Sequence, residues 1–374
     1  MHLQRMDGKW FALNHFHRFF GITKCNVMKH LIVIILLCAL WSCSDDGVEG
    51  DYVPRPLTLE RPSNFPEIAY NLDANPLTQE GFELGKALFY DGRLSLNNAI
   101  PCAFCHEQAF AFTHHGHNLS HGVNGGIGFR NSLPIQNMAY MNEFMWDGAS
   151  SNLDLQPIIP ITSHLEMGET LSNVITKLNA VPYYQEQFAK AFADGEVSSE
   201  NMLKALSQFM VMMQSSNSRY DKYVRGETGG TMNQIELDGM ATFENKCSSC
   251  HATDLFTDQS YRNNGLTINP MLDDKGRFLL FENPDDLYKF KVPSLRNVEH
   301  SYPYMHDGRF ATLEAVLNFY DSGMVNTGTI DPIFQRDDGS FGISLTSYEK
   351  ESLIAFLKTL TDNEFLNDER FSEY

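Results

Sequence analysis

Apolar residues recur at helical spacing in several separated windows of this chain. Between positions 78 and 90 they fall at Phe82, Leu84, Leu88 and Phe89, predicting a helix with Thr78 as its N-cap. Helices are also predicted over 171–179, 182–193 and 199–214, and another over 234–245. A last one begins near Thr346, where Thr346-Ser347-Tyr348-Glu349 forms a capping box, and continues through Leu353, Ile354, Phe356, Leu357 and Leu360. Few windows alternate with a period of two, so strands should be minor. Residues 109–128, rich in Gly and His, are expected as a loop, and 226–231 as a linker. The expected fold class is mainly α, in two cytochrome-c-like halves with long loops and little β.

What turns this pattern into chemistry is a five-residue signature present twice. Cys102-Ala103-Phe104-Cys105-His106 follows the first helix, and Cys247-Ser248-Ser249-Cys250-His251 ends the helix predicted over 234–245. Each has the spacing for attaching a c-type haem: two thiols add across the haem vinyl groups, and the adjacent histidine becomes an axial ligand of the iron. A structural zinc is the main rival use of paired Cys-x-x-Cys motifs, but a histidine directly after both copies, far apart in the chain, favours two haems. Both halves thus follow one plan of helix, haem motif, loop and further helices.

Composition adds limits. The chain has 374 residues, 43% hydrophobic and 20% charged, as in ordinary globular proteins. Its formal net charge of -19 argues against nucleic acid or an anionic membrane as partner, and would suit a basic electron donor. Seven cysteines are present; the three outside the motifs, Cys25, Cys38 and Cys43, are near the N-terminus, so no disulfide framework is implied. Met28-Lys29-His30 precedes the apolar run 31–41, which is too short to span a bilayer but suits a signal-peptide core. The run ends Leu40-Trp41-Ser42-Cys43, similar to a bacterial lipobox with Cys43 as the lipidated residue. Residues 1–43 are therefore expected as a signal region starting at Met28, and 44–66 as a tether rich in proline. The halves follow at 67–225 and 226–374. The expected location is the bacterial envelope, in the periplasm and lipid-anchored at Cys43.

Five segments surround the haem motifs: Arg130-Asn131-Ser132-Leu133-Pro134, Phe144-Met145-Trp146-Asp147-Gly148, Leu165-Glu166-Met167, Lys291-Val292-Pro293-Ser294-Leu295-Arg296-Asn297 and Pro303-Tyr304-Met305-His306-Asp307-Gly308. In this order they resemble the bacterial di-haem cytochrome c peroxidase family, which includes the MauG-type enzymes, over roughly 77–360. The resemblance implies that Glu166 is the distal acid/base for O–O cleavage, although its bland duty would be to cap the helix starting near Thr170. It matches Gln156 to an accompanying polar residue, Pro160 to an apolar residue over the haem, and Trp146 to the tryptophan between the haems. A histidine closing the first haem would align with Val123, unless the loop presents His121; His114, His115 and His117 read as solvated. For the second haem, the family's methionine position, fourteen residues after His306, falls on Tyr320, as in the MauG-type enzymes, with Met324 as the rival ligand. Asn131 matches a calcium ligand, with the carbonyls of Ser301 and Pro303 as partners.

Three readings follow. The first is a peroxidase that reduces hydrogen peroxide to water, with electrons from a small cytochrome c or cupredoxin entering at the C-terminal haem. The second is a MauG-type oxidase of a protein or organic substrate, and the third a non-catalytic electron carrier. A homodimer is compatible with all three.

Overall fold

A computed structural model describes residues 52–373. The apolar run 31–41, Met28 and Cys43 lie outside them, so the signal and lipid-anchor expectations concern residues without a structural description here. Among the described residues no helix is long and apolar enough to cross a membrane.

The helices stand where the apolar pattern predicts them: Gln79–Phe89, Leu171–Asn179, Pro182–Ala191, Ser199–Met212, Gln234–Lys246 and Ser347–Lys358. Their caps are the residues the sequence offers. Thr78 accepts from the Gly81 N–H, Ser198 from Asn201, and Thr346 with Glu349 closes the reciprocal capping box. The named strands are two residues each, Tyr261–Arg262 and Phe290–Lys291, paired antiparallel. The chain is mainly α, as expected.

Each half is organised by one close helix crossing. Gln79–Phe89 packs on Ser199–Met212 with Gly85 against the Ala205 carbonyl, and Gln234–Lys246 packs on Ser347–Lys358 with Gly239 against the Ser352 carbonyl. At both places a β-carbon would collide with backbone, so glycine sets how near the helices lie. Around the first crossing gathers a core that includes Leu84, Leu88, Phe89, Phe112, Leu206 and Phe209. Around the second lie Phe243, Phe256, Leu353, Phe356 and Leu360. A smaller cluster of Leu266, Phe319, Met324 and Phe334 sits beyond the second.

Residues from Tyr52 onward form one compact unit, and the expected division at 225/226 is crossed twice. Tyr220, before it, packs on the second core, while Phe365, Leu366 and Phe371, long after it, belong to the first. The tether expected over 44–66 also needs correction in its described part. Leu57 N–H donates to the Leu77 carbonyl, and Leu59 and Phe65 are buried in the first core. The prolines here space out apolar anchors instead of keeping the segment clear of the body. Arg296 closes the joint: it is fully buried, its guanidinium forks onto Asp221 at 2.7 and 2.8 Å, donates to the Asp254 carbonyl, and lies over the Phe65 ring.

Candidate functional site

Both haem motifs fold alike. In the first, the N–H groups of Cys105 and His106 both return to the Cys102 carbonyl; in the second, those of Cys250 and His251 return to Cys247. This turn sets the two thiols and the imidazole on one side. The chain then enters left-handed backbone at Phe112 (φ 56) and Phe256 (φ 55), an uncommon conformation for so bulky a residue. Both rings are anchored in the cores, and both carbonyls accept from a motif histidine: Phe112 from His106 Nδ1 at 2.7 Å, Phe256 from His251 Nδ1 at 3.1 Å. A carbonyl can only accept, so each Nδ1 carries the proton and each Nε2 presents a lone pair. Burial pulls His106 down to about 4 and lowers His251 as well, keeping both rings neutral; burial also pushes Cys102, Cys105 and Cys247 up to about 12. Neutral thiols beside a neutral imidazole are the donor set a c-type haem requires.

The first motif opens on a cavity of about 550 Å³ that Cys102, Cys105 and His106 share with Trp146, Gln156, Pro160 and Glu166. Most of its wall is apolar, and its size is in the range of small-molecule and cofactor sites. Burial raises the Glu166 carboxyl above the ordinary carboxylate range, offset in part by a hydrogen bond from the Ser163 side chain, and Glu166 is near enough to act on the Cys105 thiol. The capping duty falls elsewhere: Thr170 accepts from Asn173 N–H, while Glu169 accepts from Thr170 N–H and the Asn173 side chain. Glu166 is thereby left to the cavity. Gln156 donates to Met145 Sδ at 3.3 Å.

The loop after the first motif differs from expectation. Of the histidines read as solvated, His114 is buried, with its Nε2 3.2 Å from the Leu119 carbonyl and its Nδ1 unpartnered, and His115 stacks on Phe110. Only His117 is exposed, between the rings of His114 and His121 at 5.1 and 4.3 Å. His121 also lines the cavity, while Val123 is buried and donates to the Glu166 carbonyl. A carbonyl partner for His114 and an aromatic one for His115 keep polar residues of a glycine-rich stretch from being fully solvated.

Trp146 is buried in a tight turn that recurs in the second half. Phe144 N–H meets the Ser150 carbonyl and Tyr304 N–H the Phe310 carbonyl, both at 2.7 Å, with Met145 and Met305 at positive φ in each. Trp146 and His306 occupy equivalent places, their rings 6.5 Å apart. Trp146 Nε1 donates to the Asn131 carbonyl, and Asn131 N–H donates to the His306 carbonyl. The Asn131 side-chain Nδ2 donates to the Asn118 carbonyl. Among the described residues no cluster of three or more His, Cys, Asp or Glu is arranged to hold a metal ion.

On the second side Tyr320 lies in a single π turn, Phe319–Gly323, a geometry often found at functional sites. Burial raises its phenol to about 12; a hydrogen bond with Asn264 opposes this, and the Cys250 and Cys247 thiols act on it as near neighbours. Met324 is buried among Leu266, Phe319 and Phe334. Two features of the first cavity carry no role in the sequence reading. Lys291 lines it with Nζ 2.7 Å from the Glu143 carbonyl, its pKa brought down to about 8 by burial, and Arg130 bridges Asp147 and Asp274 at 2.6 Å each. Both stand in the segments that carry the family resemblance, but a lysine or arginine gives no sign of burial in sequence.

Residues 79–229 match the family model described as di-haem cytochrome c peroxidase. The chain is 33% identical over 324 residues to the methylamine utilization protein MauG of Methylorubrum extorquens, covering 84% of this chain and 86% of that protein. It is 32% identical over 294 residues to the cytochrome c551 peroxidase of Nitrosomonas europaea, covering 75% and 80%. Among solved structures, a MauG-like protein associated with microbial copper homeostasis superposes with a TM-score of 0.75 at 32% identity, covering 85% of this chain and 99% of that one.

Proposed function

Since the chain belongs to the di-haem cytochrome c peroxidase and MauG family of oxidoreductases, which carry haem c, we propose that it reduces hydrogen peroxide to water. The residues that would hold the two haems are Cys102 and Cys105 with His106, and Cys247 and Cys250 with His251, the thiols forming the covalent links and the imidazoles reaching the iron. The haems, when bound, supply the redox chemistry, with electrons from a small cytochrome c or cupredoxin entering on the His251 side and peroxide reduced on the His106 side.

The observation that carries this reading is Glu166 inside the His106 cavity with its carboxyl shifted toward neutral pH. A carboxylate there takes the proton from the inner peroxide oxygen and returns it to the outer one, so that water leaves instead of hydroxide. Gln156 and Pro160 line the same wall, one offering an amide to the peroxide and the other limiting water. Trp146 offers a π-system on the path from the second half, fixed by its bond to Asn131. Calcium, where bound, would take Asn131 Oδ1 and hold this joint. The protein acts in the periplasm, exported through the 31–41 run and anchored by Cys43.

A second reading is favoured by the proximity of Tyr320 to Cys247 and Cys250. Tyr320 would hold the second haem as a phenolate, a ligand that favours oxidised iron, which would suit MauG-type oxidation of a protein or organic substrate. Optical and EPR spectra of the ferric protein test both. An open haem that binds cyanide at the His106 site, with turnover of peroxide and reduced cytochrome c, is expected from the peroxidase. Two low-spin six-coordinate haems that ignore cyanide in the ferric protein, and again once it is half-reduced, would refute it.

A further inference from the structure

A tyrosine outside the sites above is built into the same joint as Trp146. Tyr261 stands ten residues past His251, in the short strand opposite Lys291, and Lys291 N–H donates to the Trp146 carbonyl at 2.7 Å. Its hydroxyl lies over Gly148, two residues from Trp146, where any side chain would strike it. Its ring is covered by the Arg277 guanidinium at 3.8 Å, and Arg277 donates to the Asp147 carbonyl at 2.8 Å. Three separate contacts thus tie Tyr261 to the turn that holds Trp146. Its hydroxyl donates to Glu143 Oε2 at 2.6 Å, and that carboxylate is 35% exposed, so a proton placed on it can exchange with solvent.

Other tyrosines here bond carboxylates, among them Tyr70 with Asp154 and Tyr348 with Asp238. Tyr261 alone of these three touches the Trp146 turn. We propose that Tyr261 is a redox-active relay that passes oxidising equivalents from Trp146 to the surface, with Glu143 as its proton acceptor. The inference rests on the peroxidase reading, because hydrogen peroxide is the oxidant that removes an electron from Trp146. Tyr261 then gives one electron to oxidised Trp146 and its O–H proton to the Glu143 carboxylate, leaving a neutral phenoxyl and a neutral carboxylic acid. A one-electron donor at the surface returns the electron, and Glu143 returns the proton. Two such cycles match the two electrons one peroxide accepts. The guanidinium over the ring disfavours a cationic radical, so electron and proton leave together.

The test mixes the haem-loaded protein with hydrogen peroxide in the absence of an electron donor, reading the optical spectrum and freeze-quench EPR on the same samples. An organic radical that narrows when tyrosine is ring-deuterated is expected. It should vanish in Tyr261→Phe and persist in Tyr348→Phe. Glu143→Gln should lower its yield and Glu143→Asp restore it. A peroxide-dependent optical change without a tyrosyl signal, or a signal undiminished in Tyr261→Phe, overturns the relay and leaves the peroxidase reading standing. No optical change in the unmodified protein overturns both. Should Tyr261→Phe misfold, the deuterated native protein and the Glu143 pair still decide the matter.

Discussion

The two Cys-x-x-Cys-His sites share a fold and differ in what faces them. Each follows a helix packed through a glycine, and each histidine is held by a phenylalanine carbonyl in left-handed backbone. Across from His106 lies a cavity with an ionisable carboxyl, whereas the second motif has a phenol as near neighbour, bonded to Asn264. The duplicated scaffold presents the same donor set twice, and the two motifs differ in the residues that face them. Glu166 and Tyr320 come from segments far along the chain from either motif, which lets the far side change while the near side is retained.

The harshest test of this contrast is Glu166→Gln. Peroxide turnover should fall by about 10²–10⁴-fold, the usual worth of a positioned acid/base, with both haems still bound. Steady-state kinetics beside a haem stain would show it, and unchanged turnover would make the two sites chemically alike. Next in size, Arg296→Ala leaves Asp221 as an unpaired buried charge and should cost about 3–5 kcal/mol. Because the pair stitches the halves, denaturant unfolding followed at each haem should shift at both; a shift at one alone would make the halves independent.

Tyr320→Met should raise the reduction potential of the second haem and leave the first in place, since a thioether favours the reduced iron. Met324→Leu should do neither, and a potentiometric titration in which Met324→Leu moves the second haem would hand the ligand role to Met324. A subtler effect is in pH. With Glu166 as the proposed base, kcat/KM should drop as pH falls through its raised pKa, above the ordinary value of about 4.3, and Glu166→Gln should lose that limb. The matching stability term has the opposite sense: a carboxyl raised on folding costs stability as pH rises from its unfolded pKa through its folded one, so the Gln variant should hold up better at neutral pH. Smallest are the caps. Thr78→Ala and Thr346→Ala should each cost about 1 kcal/mol in thermal unfolding, one in either half.

Helices and caps were legible because they depend on neighbours in sequence: Thr78, Ser198 and Thr346 each bond a residue three positions on. Strong local signals misled where tertiary contacts decide. Prolines over 53–66 suggested a tether, yet Leu59 and Phe65 between them find a core. Glu166 and Glu169 are equally credible as caps by composition, and the turn of backbone that assigns one to the helix and the other to the cavity depends on Val123 meeting the Glu166 carbonyl. The burial of His114 and Lys291 has no sequence signal, since both residues are usually solvated. Counting leaves Tyr320 and Met324 as rivals four residues apart, and both stand at the same π turn, Tyr320 inside it and Met324 at its end.

The return of Phe365, Leu366 and Phe371 to the first core bears on how the protein is assembled. During synthesis the His106 half emerges first, but the aromatic wall behind Phe112 closes only after the whole second half has been made. The first half is therefore begun first and finished last. A chain cut short before Phe365 should lack that wall and leave Phe112, whose carbonyl holds His106, without its aromatic backing.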